Sequence, residues 1–135
     1  MSAKIGLLLA VGAGGFLGAI LRHLLGGWIQ NLAGGKFPWG ILAVNVLGCL
    51  LIGYVMAQSL PGTLPDGNYA EPAPEPWRLF LVTGVFGALT TFSAFGLDTV
   101  SLARGELPWL AVANVAANVV LGLSAVAVGM ALGKA

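Results

Sequence analysis

The chain has 135 residues, of which 58% are hydrophobic and only 8% charged, with a formal net charge of +1. A mean hydropathy of +0.93 lies far outside the range of a water-soluble domain and identifies a membrane protein. Near-neutral charge in such a composition excludes nucleic-acid binding, and the absence of any nucleophile beside a base or cluster of metal-ligating side chains argues against an enzyme.

A membrane-spanning helix needs about 20 mostly apolar residues, and four stretches qualify: about 5–29, 39–59, 78–102 and 108–132. The expected fold is an all-α membrane protein, a single four-span unit over 1–135 with almost no chain left for a soluble domain.

Span one begins after Lys4 with "IGLLLAVGAGG", a pattern that could pass for a signal peptide. The apolar run continues through "FLGAIL" to Arg22 without an aqueous flank, which argues against cleavage. "GAGGFLG" (12–18) has Leu17 where a dinucleotide fingerprint needs its third glycine, and no strand precedes it. Gly14 and Gly18 stand four apart and instead predict close helix approach, as do Gly129 and Gly133. Arg22 and His23 close the span, and two roles stay open for Arg22: snorkelling to the interface, or drawing anions toward a vestibule.

"NLAGGKFP" (31–38) separates spans one and two. Asn45 lies about a third of the way into span two, where an amide serves either as glue between helices or as a pair of donors for an anion. Cys49, the single cysteine, has no partner in the chain and reads as a small packed residue. The following segment, "LPGTLPDGNYAEPAPEP" (60–76), is rich in proline and acids and predicts an irregular aqueous loop.

Span three carries Thr90, Thr91, Ser93 and Asp98 together with Phe92 and Phe95, which share a face at i and i+3. Hydroxyls alone can bond back to their own helix. However, glycines at 84, 87 and 96 bracket the run, so regular helix is intrinsically poor here and the third helix is expected to break near its centre. Irregular backbone at membrane depth is tolerated only where it is buried or lines a cavity, and freed carbonyls can coordinate a cation. A phenylalanine ring has a positive edge, so inward edges combined with neutral hydroxyl and amide donors suit a small hydrated anion that must be bound and then released.

After "RGELP" (104–108), span four sets Asn114 and Asn118 at i and i+4 and continues that stripe to Gly122. Either amide alone is ordinary helix glue; two facing the same way favour a polar pathway.

Basic residues normally mark the cytoplasmic side. Lys4, Arg78 and Lys134 fall on one side of a four-span chain and Arg22, Lys36 and Arg104 on the other, provided Arg22 reaches the far interface. A tie of this kind permits insertion both ways and an antiparallel dual-topology homodimer.

Three blocks, "GGFLGAILRH" (14–23), "FPWGILAVNVLGCLLIG" (37–53) and "GVFGALTTFSAFGLD" (84–98), give the chain a resemblance to the Fluc (CrcB) fluoride channel family over nearly all its length except the 60–76 loop. The resemblance implies a multi-pass protein of the cell (inner) membrane that passively exports fluoride from the cytoplasm and protects against its toxicity. It implies an inverted second copy as partner, two pores using residues from both subunits, and a structural sodium ion at the dimer interface. By position, Gly87 and Thr90 would offer backbone carbonyls to sodium. Phe92 and Phe95 would line the pore with Asn45, Thr91, Ser93, Asn114 and Asn118, with Arg22 near the vestibule and Asp98 on the polar track. The chain departs from the family pattern at Ala94, which stands for a hydroxyl residue, at Ile41 for a threonine, at His23 for an aromatic and at Asn118 for a serine.

Two other readings fit the size. A proton-coupled exporter resembling the small multidrug resistance class needs a carboxylate within the membrane, yet span one has none and Asp98 is the only acid in any predicted span. A non-transporting assembly subunit held by glycine packing leaves the phenylalanines, hydroxyls and amides unexplained.

Overall fold

The computed structural model describes residues 2–59 and 75–134. All regular structure among them is helical, and four segments are long and apolar enough to cross a membrane: Lys4–Ala33, Trp39–Gln58, Pro76–Arg104 and Trp109–Lys134. The aqueous loop expected over 60–76 lies, apart from Glu75 and Pro76, outside the described residues.

Helix α1 (Ser2–Ala33) runs past the expected end at residue 29. It stops where Gly34 and Gly35 adopt φ of 62° and 76°, a left-handed backbone that glycine enters without steric cost. Gln30 then ties the turn to the next helix: its Nε2 donates to the Phe37 carbonyl at 3.1 Å and its Oε1 accepts from the Gly40 N–H at 3.1 Å. Helix α2 (Trp39–Ser59) therefore starts at a fixed angle to α1, directly after Pro38.

The third span is composite. A single turn α3 (Pro76–Arg78) leads into a π-wound segment, Leu79–Phe86, followed by a short α4 (Gly87–Leu89). Thr90 and Thr91 are extended, and α5 (Phe92–Arg104) completes the crossing. Helix α6 (Trp109–Lys134) forms span four.

Packing follows the glycines. A Cβ on Gly14 or Gly18 would collide with the carbonyl oxygens of Phe80 and Val85, so α1 lies directly on the backbone of the π-wound segment. On the other side of the bundle, Gly129 and Gly133 bring α6 against the Leu50 and Tyr54 carbonyls of α2. Both pairs behave as the four-residue spacing predicts. The two halves of span three have different neighbours: the first half packs on α1, whereas α5 packs on α6. The extended pair at 90–91 is the point at which the chain changes partner.

The core is small: Leu42, Val44, Val85, Phe86, Leu89, Leu110, Ala111 and Ala125 are its buried apolar residues, and Thr91 and Asn114 are buried with them. Large side chains such as Leu8, Leu9, Phe16 and Leu123 face outward, as expected where lipid or another apolar surface, not water, is the surrounding medium. All four tryptophans, Trp28, Trp39, Trp77 and Trp109, are exposed near span ends, where indole rings anchor a protein in the headgroup region.

Candidate functional site

The site is built on the interruption in span three. Thr90 (φ −78°, ψ 151°) and Thr91 (φ −151°, ψ 116°) are in extended conformation between α4 and α5. Thr90 still closes the preceding turn, since both its N–H and its Oγ1 donate to the Phe86 carbonyl at 3.0 Å. Its methyl group occupies the space over Gly48, where any side chain would displace it.

Thr91 is different. In a continuous helix its N–H would bond to the carbonyl of Gly87; here it donates to Asn45 Oδ1 at 2.8 Å. The next diverted donor is the Ala94 N–H, which would serve the Thr90 carbonyl and instead goes to Thr91 Oγ1 at 3.3 Å, capping α5. The interruption breaks the helical ladder at the carbonyls of Gly87, Ala88, Leu89 and Thr90, and for Gly87 and Thr90 the usual donor is bonded to another side chain. Among the described residues there is no group of three or more His, Cys, Asp or Glu that could hold a metal ion, and the oxygens at hand around the interruption are main-chain carbonyls, threonine hydroxyls and asparagine amides.

Asn45 is one link in a longer relay. Its Nδ2 donates to Asn118 Oδ1 at 2.9 Å, Asn118 Nδ2 donates to Asn114 Oδ1 at 3.0 Å, and Asn114 Nδ2 donates to Thr99 Oγ1 at 2.8 Å. The Thr99 hydroxyl then donates to the Phe95 carbonyl at 2.7 Å. Both ends fix the direction: the Thr91 N–H can only donate and the Phe95 carbonyl can only accept, so every amide between them has one permitted orientation.

Two cavities meet at Thr91. One, of about 790 Å³, is an open cleft whose lining includes Arg22, His23, Lys36, Ser93 and Asp98. Arg22 and Lys36 place positive charge in its lining and Asp98 a negative one. Lys36 also pairs with the exposed Glu106 at 2.6 Å, linking the turns at the ends of α1 and α5. The other cavity, of about 390 Å³, is more apolar and is lined by Asn45, Gly87, Thr90, Phe92, Phe95 and Asn118, among others. The rings of Phe92 and Phe95 lie 5.4 Å apart and tilted by 53°. Between the cavities, Thr91 Oγ1 and Ser93 Oγ are 3.2 Å apart.

The structure therefore gathers most of the residues singled out in the sequence around one interruption. Arg22, Ser93 and Asp98 stand in the cleft; Asn45, Phe92, Phe95, Asn118, Gly87 and Thr90 stand in the apolar cavity; Thr91 belongs to both. Asn114 is apart from them, with no exposed surface, behind Asn118 and lining neither cavity. Sequence reasoning passed over Thr99, whose hydroxyl has the ordinary look of a mid-helix residue bonding to its own backbone. Lys36 was counted only for orientation, and Gly48 only as part of a block.

Residues 9–130 match the family described as CrcB-like protein, Camphor Resistance (CrcB). The chain belongs to the CrcB family. The match takes in every residue of both cavities and of the amide relay, from Ala19 to Val119. A relative from Sulfurovum sp. (strain NBC37-1), named fluoride-specific ion channel FluC, is 46% identical over 129 residues, covering 95% of this chain and 94% of its own. Proteins of the same name from Agrobacterium fabrum and Clostridium perfringens (strain 13 / Type A) are 42% and 40% identical, covering 92% and 97% of this chain and 93% and 96% of their own. This CrcB-family chain is thus similar to those channels over nearly all of its length and of theirs.

Proposed function

We infer that this CrcB-family protein is a fluoride-selective passive channel of the cell inner membrane, exporting fluoride from the cytoplasm and lowering its toxicity. The observation that carries the reading is the meeting, at Thr91, of an open polar cleft that holds Arg22 with a phenylalanine-lined cavity whose polar groups are all neutral. Arg22 draws the anion into the cleft, and the Ser93 and Thr91 hydroxyls begin to replace its water. Within the second cavity the positive edges of Phe92 and Phe95 and the Asn45 amide continue that replacement. No ammonium or guanidinium lines this smaller cavity, so the ion is not trapped. The name shared by the relatives supports fluoride as the ion.

The pore-forming unit in this reading is an antiparallel homodimer. Phe92, which lines the apolar cavity, is 83% exposed on the single chain. A second, inverted copy would cover it, and the near-even split of basic residues, Lys4, Arg78 and Lys134 on one face against Lys36 and Arg104 on the other with Arg22 inside the cleft, supports insertion in both directions. The resemblance implies a sodium ion at the interface on the carbonyls of Gly87 and Thr90; the diversion of their helical donors to Asn45 and Thr91, and the exposure of Gly87, support that reading. When bound, the ion would supply positive charge that holds the interruption open.

Growth tests the function. A bacterium lacking its own fluoride exporter should regain growth in millimolar fluoride when it expresses this chain; continued sensitivity at normal membrane levels would contradict the reading. Topology is checked with Lys36→Cys in a Cys49→Ala background and a membrane-impermeant thiol reagent. About half the molecules should label from outside intact cells, because a chain without charge bias inserts both ways; complete labelling or none would exclude dual topology.

A further inference from the structure

We propose that Thr99 is a positioning residue for conduction, closing a hydrogen-bonded circuit that clamps the segment bearing Phe92, Ser93 and Phe95 against α2 and α6. This rests on the channel reading and deepens it.

Both ends of the circuit lie on the same stretch of chain. It leaves at the Thr91 N–H, crosses to Asn45 on α2, passes through Asn118 and Asn114 on α6, and returns through Thr99 to the Phe95 carbonyl. Phe92, Ser93 and Phe95 fall on the loop of backbone that these bonds enclose. Amides on α2 and α6 therefore hold that loop at two points, one at the cap of α5 and one a turn further on.

Thr99 is the only member able to turn the relay back to α5. Its hydroxyl accepts from Asn114 and donates to Phe95 at once, a combination that an amide relay ending on a carbonyl requires and that an apolar side chain lacks. Asn114 has no exposure at all and lies in the bundle interior, so its freed N–H would find no water in place of Thr99. The simplest relief is a turn of the Asn114 amide, which then sets its oxygen and nitrogen wrongly for Asn118, and through Asn118 for Asn45. Damage at Thr99, which lines neither cavity, thus arrives at the Asn45 amide and the Thr91 N–H in the conduction path.

Thr99→Val keeps the shape and removes both hydrogen-bonding functions, whereas Thr99→Ser keeps both. In reconstituted liposomes Thr99→Val should lower maximal fluoride efflux about tenfold or more, as expected when a buried network loses a member, and raise the fluoride concentration giving half-maximal efflux. Thr99→Ser should remain within about twofold of wild type, since its hydroxyl restores both bonds. If Thr99→Val yields no monodisperse protein, Thr99→Cys replaces it, and its weak thiol should also lose flux relative to Thr99→Ser. Wild-type efflux from the valine or cysteine variant overturns the proposal, as does an equal loss in Thr99→Ser. Absence of fluoride efflux from the wild-type protein would overturn the channel reading itself, a separate result.

Discussion

Replacing Phe92 and Phe95 together by isoleucine should suppress fluoride efflux about ten- to hundredfold while leaving the assembly intact. Isoleucine preserves apolar bulk but has no quadrupole, so it removes the positive ring edges without emptying the cavity. An edge-to-face aromatic pair is worth about 0.5–1.5 kcal/mol beyond burial, and each ring edge is taken to contribute a similar amount at an anion. Two of them together amount to about 1–3 kcal/mol at the ion, and about 1.4 kcal/mol corresponds to a factor of ten in rate. Phe92 is highly exposed and outside the chain's own core, which limits the effect of the substitution on the fold of the single chain. Efflux recorded by electrode, with size-exclusion chromatography alongside, separates the outcomes. Unchanged efflux would refute the assigned role of the rings; loss of efflux with loss of the assembly would assign them to packing instead.

Asn45→Ala should harm both stability and conduction, by a different route. The truncation leaves the Thr91 N–H and Asn118 Oδ1 without their partner. Unsatisfied buried groups cost about 1–3 kcal/mol each, so a loss of about 2–6 kcal/mol is expected unless the backbone relaxes. Relaxation is available: the Thr91 N–H can return to the Gly87 carbonyl, its helical acceptor, and the interruption then closes. That restores part of the stability but consumes one of the carbonyls proposed for sodium. The variant should therefore unfold at lower temperature in detergent and carry little fluoride. A protein with wild-type thermal stability and wild-type efflux would show that Asn45 does not hold the interruption open.

These effects indicate what could be read from the residues alone. Span positions were legible because hydropathy over about 20 residues is a strong signal, although α1 reaches Ala33 because its terminator is the left-handed pair Gly34 and Gly35, not a polar flank. Glycine spacing correctly announced the close approaches at 14, 18, 129 and 133. An interruption in span three was legible as a weakness of helix in "GALTTFSAFG", but the extended residues are the threonines, not the glycines. The π winding of Leu79–Phe86 had no local sign, since it is built against Gly14 and Gly18 of another helix.

The amides were the harder case. Asn114 and Asn118 share a face, as i, i+4 spacing requires, yet spacing cannot tell whether that face meets an ion or other side chains. In the fold it meets Asn45 and Thr99, and Asn114 has no exposed surface. The partners come from two other spans, so no pattern within span four could have announced them. For the same reason Thr99 looked ordinary until its second hydrogen bond was seen.

The most direct measurement of the central claim is passive ion efflux from liposomes containing the purified protein, with internal fluoride or chloride, a potassium ionophore to remove the electrical restraint, and an ion-selective electrode outside. The channel account predicts rapid fluoride efflux with no imposed proton gradient and no chloride efflux above that of protein-free vesicles. Comparable chloride release would contradict selectivity, and absence of passive fluoride flux together with proton-driven uptake of an organic cation would replace the channel with an exporter.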